Sequence, residues 1–216
     1  MQLIVISHPD TVANEARVIN QLFDAGLTRF HLRKPDWDEK QLVNLLRQID
    51  QTFYPYIALH QHHHIAVDFN TKRLHYTEKH RLATEPKKLI LQKEEGYVLS
   101  TSTHADKDLR SFKNFVSLTL DITNSSSPLF DYAFFGPVFN SISKAGYQSQ
   151  LPNDFQLPSN IATPIIALGG VEPSNLDKLK LMGFDGAAAL GTIWNDSVQA
   201  VTNFRKLQEH LLTKQP

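Results

Sequence analysis

Pro164-Ile165-Ile166-Ala167-Leu168-Gly169 is an unbroken apolar run closed by glycine, and its reading decides the fold. A strand covered on both faces shows no polar alternation, and such strands belong to parallel sheets sheathed by helices. The neighbouring sequence agrees. Residues 173–182 have helical spacing and stop at Gly183, residues 186–190 form the next apolar strand, and a last helix covers 197–212. Towards the N-terminus, residues 3–7 read as a strand. Residues 11–25 read as a helix with Val12, Ala16, Ile19, Leu22 and Phe23 on one face and Gly26 as its stop. In the strand at 29–34, Phe30 and Leu32 point one way, His31 and Arg33 the other. A helix at 38–53 precedes strands at 56–60, 73–77, 97–102 and 131–136. Eight strands alternating with helical segments predict a single (β/α)8 TIM barrel over residues 1–216. Pattern alone also leaves an open doubly wound sheet. Residues 115–122 alternate like a strand where a helix should end, and they fit neither scheme.

Composition narrows the function. Lys plus Arg and Asp plus Glu both number 22, so no bulk field attracts nucleic acid or an anionic membrane. An anionic ligand must be held by local groups. The chain has no cysteine, which removes disulfides, thiolate catalysis and Cys-based zinc sites. Met1-Gln2-Leu3-Ile4-Val5-Ile6-Ser7-His8-Pro9 lacks the basic region of a signal peptide, and no run approaches the ~20 apolar residues of a membrane span. The expected location is the cytoplasm. A homo-oligomer is compatible with the sequence.

Ligands of such barrels sit at the C-terminal strand ends, with phosphate often beside strands seven and eight. Gly169-Gly170 follow strand seven; Leu190-Gly191 follow strand eight and lead into a short helix. Glycine lets backbone approach an anion, so Gly169, Gly170, Leu190 and Gly191 are the phosphate-binding candidates. Arg33 offers a planar fork for phosphate or carboxylate, with His31 on the same inner face. Ser102-Thr103-His104 closes strand five, and His104 can transfer a proton near neutral pH. The loop after strand six brings Ser141, Ser143 and Lys144 close together, two hydroxyls and an ammonium suited to an anion. His60-Gln61-His62-His63-His64 has no metal-ligand spacing, since consecutive residues rarely converge on one ion, and it reads as a solvated helix start. No metal is expected.

These residues resemble the thiamin phosphate synthase and TenI superfamily across nearly the whole chain. Gly136-Pro137-Val138-Phe139-Asn140-Ser141-Ile142-Ser143-Lys144 is similar to the family's Gly-Pro-[Ile/Val]-[Phe/Tyr]-x-[Thr/Ser]-x-[Thr/Ser]-Lys loop. The strand beginning at Pro164 resembles its Pro-[Val/Ile]-x-[Ala/Gly]-[Ile/Leu]-Gly-Gly-[Ile/Val] strand, and Gly183-Phe184-Asp185-Gly186 its Gly-Ala-Asp-Gly. The resemblance implies a thiazole phosphate held by Gly169, Gly170, Leu190 and Gly191, with Ser102 in the same pocket. Synthases of the family carry Gln-x-Arg-x-Lys on strand two; here stand His31, Arg33 and Pro35, with the lysine displaced to Lys34. The aspartates of their Asn-Asp and His-Leu-Gly-Gln-x-Asp motifs, which hold Mg2+, are matched by Gln61 and His80.

The resemblance therefore implies the TenI-like branch. That branch implies a metal-independent thiazole tautomerase, with His104 moving the proton, Arg33 and Lys144 gripping the carboxylate, and no cofactor. The first alternative is a thiamin phosphate synthase that joins hydroxymethylpyrimidine pyrophosphate to thiazole phosphate, with Mg2+ rebuilt around Glu78. The second is a non-catalytic phosphate-binding relative.

Overall fold

The computed structural model of the chain describes residues 1–104, 129–140, 149, 151, 152, 154–159 and 161–212. Its strands are β1 Gln2–Ile6, β2 Phe30–Leu32, β3 Ile57–Leu59, β4 Arg73–Tyr76, β5 Val98–His104, β6 Tyr132–Gly136, β7 Ile165–Leu168 and β8 Gly186–Ala189. They pair in parallel, in chain order, and close into a barrel. β8 returns to β1 with Gln2 opposite Gly186 and Val5 opposite Ala189, which leaves no sheet edge to protect. This is the (β/α)8 barrel, and the open sheet is excluded.

Strand alternation builds two apolar layers. Val5, Phe30, Leu32, Ile57, Leu59 and Ile165 face outward, in one cluster with helix residues such as Ile19, Leu22, Leu42 and Phe204. Ile4, Ile6, Tyr132, Phe134, Ile166 and Ala188 face inward and fill the barrel. On β2 and β4 the inward positions fall to His31 and His75, both buried. Polar side chains therefore enter the core from β2 and β4 and, through Ser100 and the Tyr132 hydroxyl, from β5 and β6 beside them.

The described helices are α1 Glu15–Asp24, α2 Glu39–Leu46, α3 Glu78–Ala83, α4 Pro86–Glu94, α5 Leu176–Leu181, α6 Gly191–Trp194 and α7 Ala200–Leu212. Their bounds correct the sequence expectations at several ends. α1 begins at Glu15 rather than 11 because Asn14 takes a left-handed conformation at φ 56. α2 starts at a capping box between Asp38 and Gln41 but stops at Leu46. Asp50 then caps a separate 3-10 turn, Gln51–Tyr56, with Pro55 inside it. The expected helix at 173–182 divides into a 3-10 turn, Pro173–Asn175, and α5. β5 runs two residues past its expected end, so Thr103 and His104 belong to the strand. Residues 115–122 lie outside the described residues. No helix among the described residues is long and apolar enough to cross a membrane.

Candidate active site at the strand ends

A cavity of about 410 Å³ opens at the C-terminal mouth of the barrel, and each strand, or the residue just after it, contributes to it. Its walls include Ile6, Arg33, His60, His75, Ser102, Gly136, Leu168 and Leu190, with Thr77, Glu78 and Lys79 on one rim and Phe134 in the floor. Apolar walls with a few convergent polar groups are the ordinary make-up of a small-molecule site. Arg33 is fixed through its backbone: its amide donates to Ser7 Oγ at 2.8 Å, and Ser7 Oγ donates to its carbonyl at 2.9 Å. No carboxylate among the described residues pairs with its guanidinium, so the cavity holds a cation ready for an anionic ligand.

Beneath this floor lies a hydrogen-bonded set of aromatic and imidazole rings. His31 Nδ1 meets His60 Nε2 at 2.9 Å, and His31 Nε2 meets the Tyr132 hydroxyl at 2.7 Å. His75 Nδ1 meets Ser100 Oγ at 3.0 Å, and Tyr132 also bonds Ser100. The rings of His60 and His75 stack with centroids 4.0 Å apart. Burial, reinforced by neighbouring imidazoles and guanidinium groups, holds His31 and His60 well below the ordinary imidazole range and His75 at about 3. All three are neutral at physiological pH.

The residues expected at the site divide into three groups. Arg33, Ser102 and Leu190 line the cavity together. His31 faces inward as alternation predicts, yet it is fully buried and both its nitrogens are engaged, so His60 and His75 stand between it and the cavity. Gly169 and Gly170 form the turn after β7, and Gly191 opens α6. Both glycines adopt positive φ, and a Cβ on Gly170 would come within 2.4 Å of the Asn140 carbonyl oxygen. This packing on the loop after β6 requires glycine whether or not an anion binds. Gly170 also borders a second cavity, lined by Val138, Asn140, Glu172 and Lys178 among others. His104 ends β5 opposite Gly136; its ring lies outside the described part. Ser141, Ser143 and Lys144 likewise lie outside the described residues.

Sequence reading missed the role of His60. It was expected in a solvated helix start, but it is 4 % exposed and turned into the barrel, while His64 alone of that run is exposed. The signal was the same inward parity that placed His31: His60 lies an odd number of residues from the outward-facing Leu59. Lys34 was read as the displaced lysine of the synthase motif. It is fully buried instead, 2.6 Å from Glu15 Oε2, and donates to the Asp10 carbonyl at 2.7 Å. It ties α1 to the end of β2.

The two positions that the resemblance gives to magnesium do not fit that ion. Gln61 Nε2 donates to the Lys34 carbonyl, and its Oε1 accepts from the Lys34 amide at 3.2 Å, so its side chain clasps the backbone after β2. His80 is exposed on α3. Neither supplies the carboxylate oxygen that a hard cation selects.

A family model described as thiamine monophosphate synthase matches residues 1–193. A thiamine-phosphate synthase of Prochlorococcus marinus is 23% identical over 196 residues, 88% of this chain and 51% of that protein. One of Clostridium tetani is 24% identical over 181 residues, 82% of this chain and 79% of that protein. The chain thus spans about half the length of the first and about four fifths of the second. Among crystal structures, a thiamine phosphate pyrophosphorylase from Bacteroides thetaiotaomicron covers 100% of both chains with a TM-score of 0.71 at 23% identity. A 3-hexulose-6-phosphate synthase covers 97% of this chain and 99% of its own, with a TM-score of 0.63 at 12% identity. At such identities the structural likeness speaks for the fold alone.

Proposed function

The chain belongs to the thiamine monophosphate synthase family, and from that membership we propose that its barrel mouth binds a phosphorylated thiazole and moves a proton on it, as a thiazole tautomerase. The observation that carries this choice of reaction is Gln61. At a position where metal-assisted release of pyrophosphate needs a carboxylate, this side chain is committed to the Lys34 backbone.

In this reading the phosphate sits against the amides of Gly169, Gly170 and Gly191, which have no acceptor among the described residues. Leu190 closes the apolar side. Arg33 holds the carboxylate on the thiazole from across the cavity, with Lys144 completing the grip and Ser102 orienting it. His104 takes a proton from the saturated carbon of the non-aromatic ring and returns it at the far end of the conjugated double-bond system, so that the double bonds shift into the ring and leave the aromatic tautomer with no net change in composition. His31 acts behind His60 as a positioning residue. No step needs a divalent ion.

The second reading is thiamin phosphate synthase, and the comparisons favour it over the first. Both curated relatives carry that name. Here Glu78 and Lys79 on the cavity rim would face the pyrimidine pyrophosphate. Incubation of the protein with the carboxylated thiazole phosphate, with and without pyrimidine pyrophosphate and Mg2+, separates the two by product mass and ultraviolet spectrum. An isomer of unchanged mass that gains the absorption of an aromatic thiazole without either addition supports the tautomerase, and unaltered starting material overturns it. Thiamin phosphate formed only with both additions overturns it.

A further inference from the structure

The three imidazoles under the cavity come from adjacent strands: His31 from β2, His60 from the residue after β3, and His75 from β4. Each offers one ring nitrogen, and these three atoms lie within 4.8 Å of one another. The three residues are 0%, 4% and 1% exposed. We propose that His31, His60 and His75 form a binding site for a borderline divalent transition ion, of which Zn2+ is the type, with an open coordination position facing the cavity. The inference stands apart from the choice between the two reactions, because it concerns the floor of the barrel and not the magnesium positions.

The chemistry of the donor set selects the ion. Three nitrogens with no carboxylate among them suit zinc, cobalt, nickel or copper and bind magnesium and calcium only weakly. Neutral imidazole is the ligating form, and burial keeps these rings neutral. A tetrahedral site with Zn–N of about 2.0–2.1 Å places its nitrogens roughly 3.3 Å apart. His31 Nδ1 and His60 Nε2, 2.9 Å apart, would open slightly, and one of the stacked rings of His60 and His75 would turn so that both lone pairs meet at the ion.

The second observation is an unmet need. His60 Nδ1 is buried and has no hydrogen-bond partner among the described residues. His60 can therefore ligate through this orphaned atom or through Nε2, which now faces His31. The outer partners of such a site are also in place. Tyr132 holds the far nitrogen of His31 at 2.7 Å, and Ser100 holds Nδ1 of His75 at 3.0 Å. Bonds of this kind fix the tautomer and aim of a ligating ring. His60 and His75 border the cavity, so the remaining position is open to water or to an anionic oxygen of a bound molecule. The bland alternative is a hydrogen-bonded cluster with no ion.

The test uses the full chain without a histidine tag, stripped by a chelator and titrated with Co2+ and then Zn2+. The expected result is one equivalent of Co2+ per chain with the intense visible absorption of tetrahedral coordination, displaced by Zn2+, and a melting temperature raised by Zn2+. His60→Gln and His75→Asn should lose both signals. Tyr132→Phe, which keeps the ligands, should weaken affinity by roughly 10- to 100-fold. His64→Ala, on the exposed part of the run, should bind like the wild type. Folded wild type with no absorption and no shift in melting temperature at millimolar ion overturns the proposal. So does binding that survives His60→Gln and His75→Asn but fails in His64→Ala.

Discussion

The Arg33 backbone is held by Ser7, and no carboxylate among the described residues pairs with its guanidinium, which suits it to the proposed grip on an anion. Replacing Arg33 by Gln should weaken binding of the carboxylated thiazole phosphate by roughly 10- to 100-fold, the worth of a hydrogen bond to a charged group, as read by calorimetry. Unchanged affinity would remove Arg33 from the site. His104→Gln tests the chemistry separately. Binding should persist while turnover falls by about 10²–10⁴, the range that general-base catalysis supplies. A variant with wild-type turnover would pass the base role to another group. Gly170 makes a different demand. With φ at +64 and the Asn140 oxygen in the path of a Cβ, Gly170→Ala should cost about 1–3 kcal/mol of stability. At this chain size that lowers the melting temperature by about 2–4 °C per kcal/mol. Loss of ligand binding in a bulkier Gly170 variant would therefore report on packing first, and the phosphate site is better tested by the ligand itself.

The elements show where sequence is legible and where it stops. Period-two alternation placed His31 inward and Phe30 and Leu32 outward, and the apolar run at 164–169 became β7. These positions were readable because a strand's side-chain direction is fixed by its own backbone. Lys34 was not readable, since β2 ends at Leu32 and the chain beyond is no longer pleated. Its partner Glu15 sits on α1, 19 residues away. Convergence of His31, His60 and His75 was hidden for a related reason, because it depends on the register of β2 against β3 and β3 against β4. Helix ends were misplaced where a single residue broke the pattern, as Asn14 does before α1. The Lys34–Glu15 pair predicts an asymmetric outcome in urea denaturation. Lys34→Met leaves a buried carboxylate without its cation and should cost about 3–5 kcal/mol, whereas adding Glu15→Gln should recover most of it. Equal stability of the single and double variants would contradict the pair's structural role.

At the scale of the molecule, one side of the barrel interior is polar and its charge state is tied to folding. His63 lies at about 4 and His75 at about 3, both below the ordinary 6.5, with burial as the first cause. The folded protein therefore binds fewer protons than the unfolded chain below about pH 6.5, so stability present at neutral pH drains as pH falls toward those values. Glu15, raised by burial, acts in the opposite sense but is a single group. Chelator-treated protein should melt at progressively lower temperature from pH 7 to pH 5, and a flat profile would contradict neutral buried imidazoles. The same polar side faces the mouth that we propose as the ligand site, which is lined from all eight strands or the residues just after them. The most direct measurement is a titration of labelled protein with the carboxylated thiazole phosphate, followed by backbone amide chemical shifts. Saturable shifts are expected at Gly169, Leu190 and Gly191 together with Arg33 and Ser102. Shifts confined to Asn140, Glu172 and Lys178, around the second cavity, would contradict it.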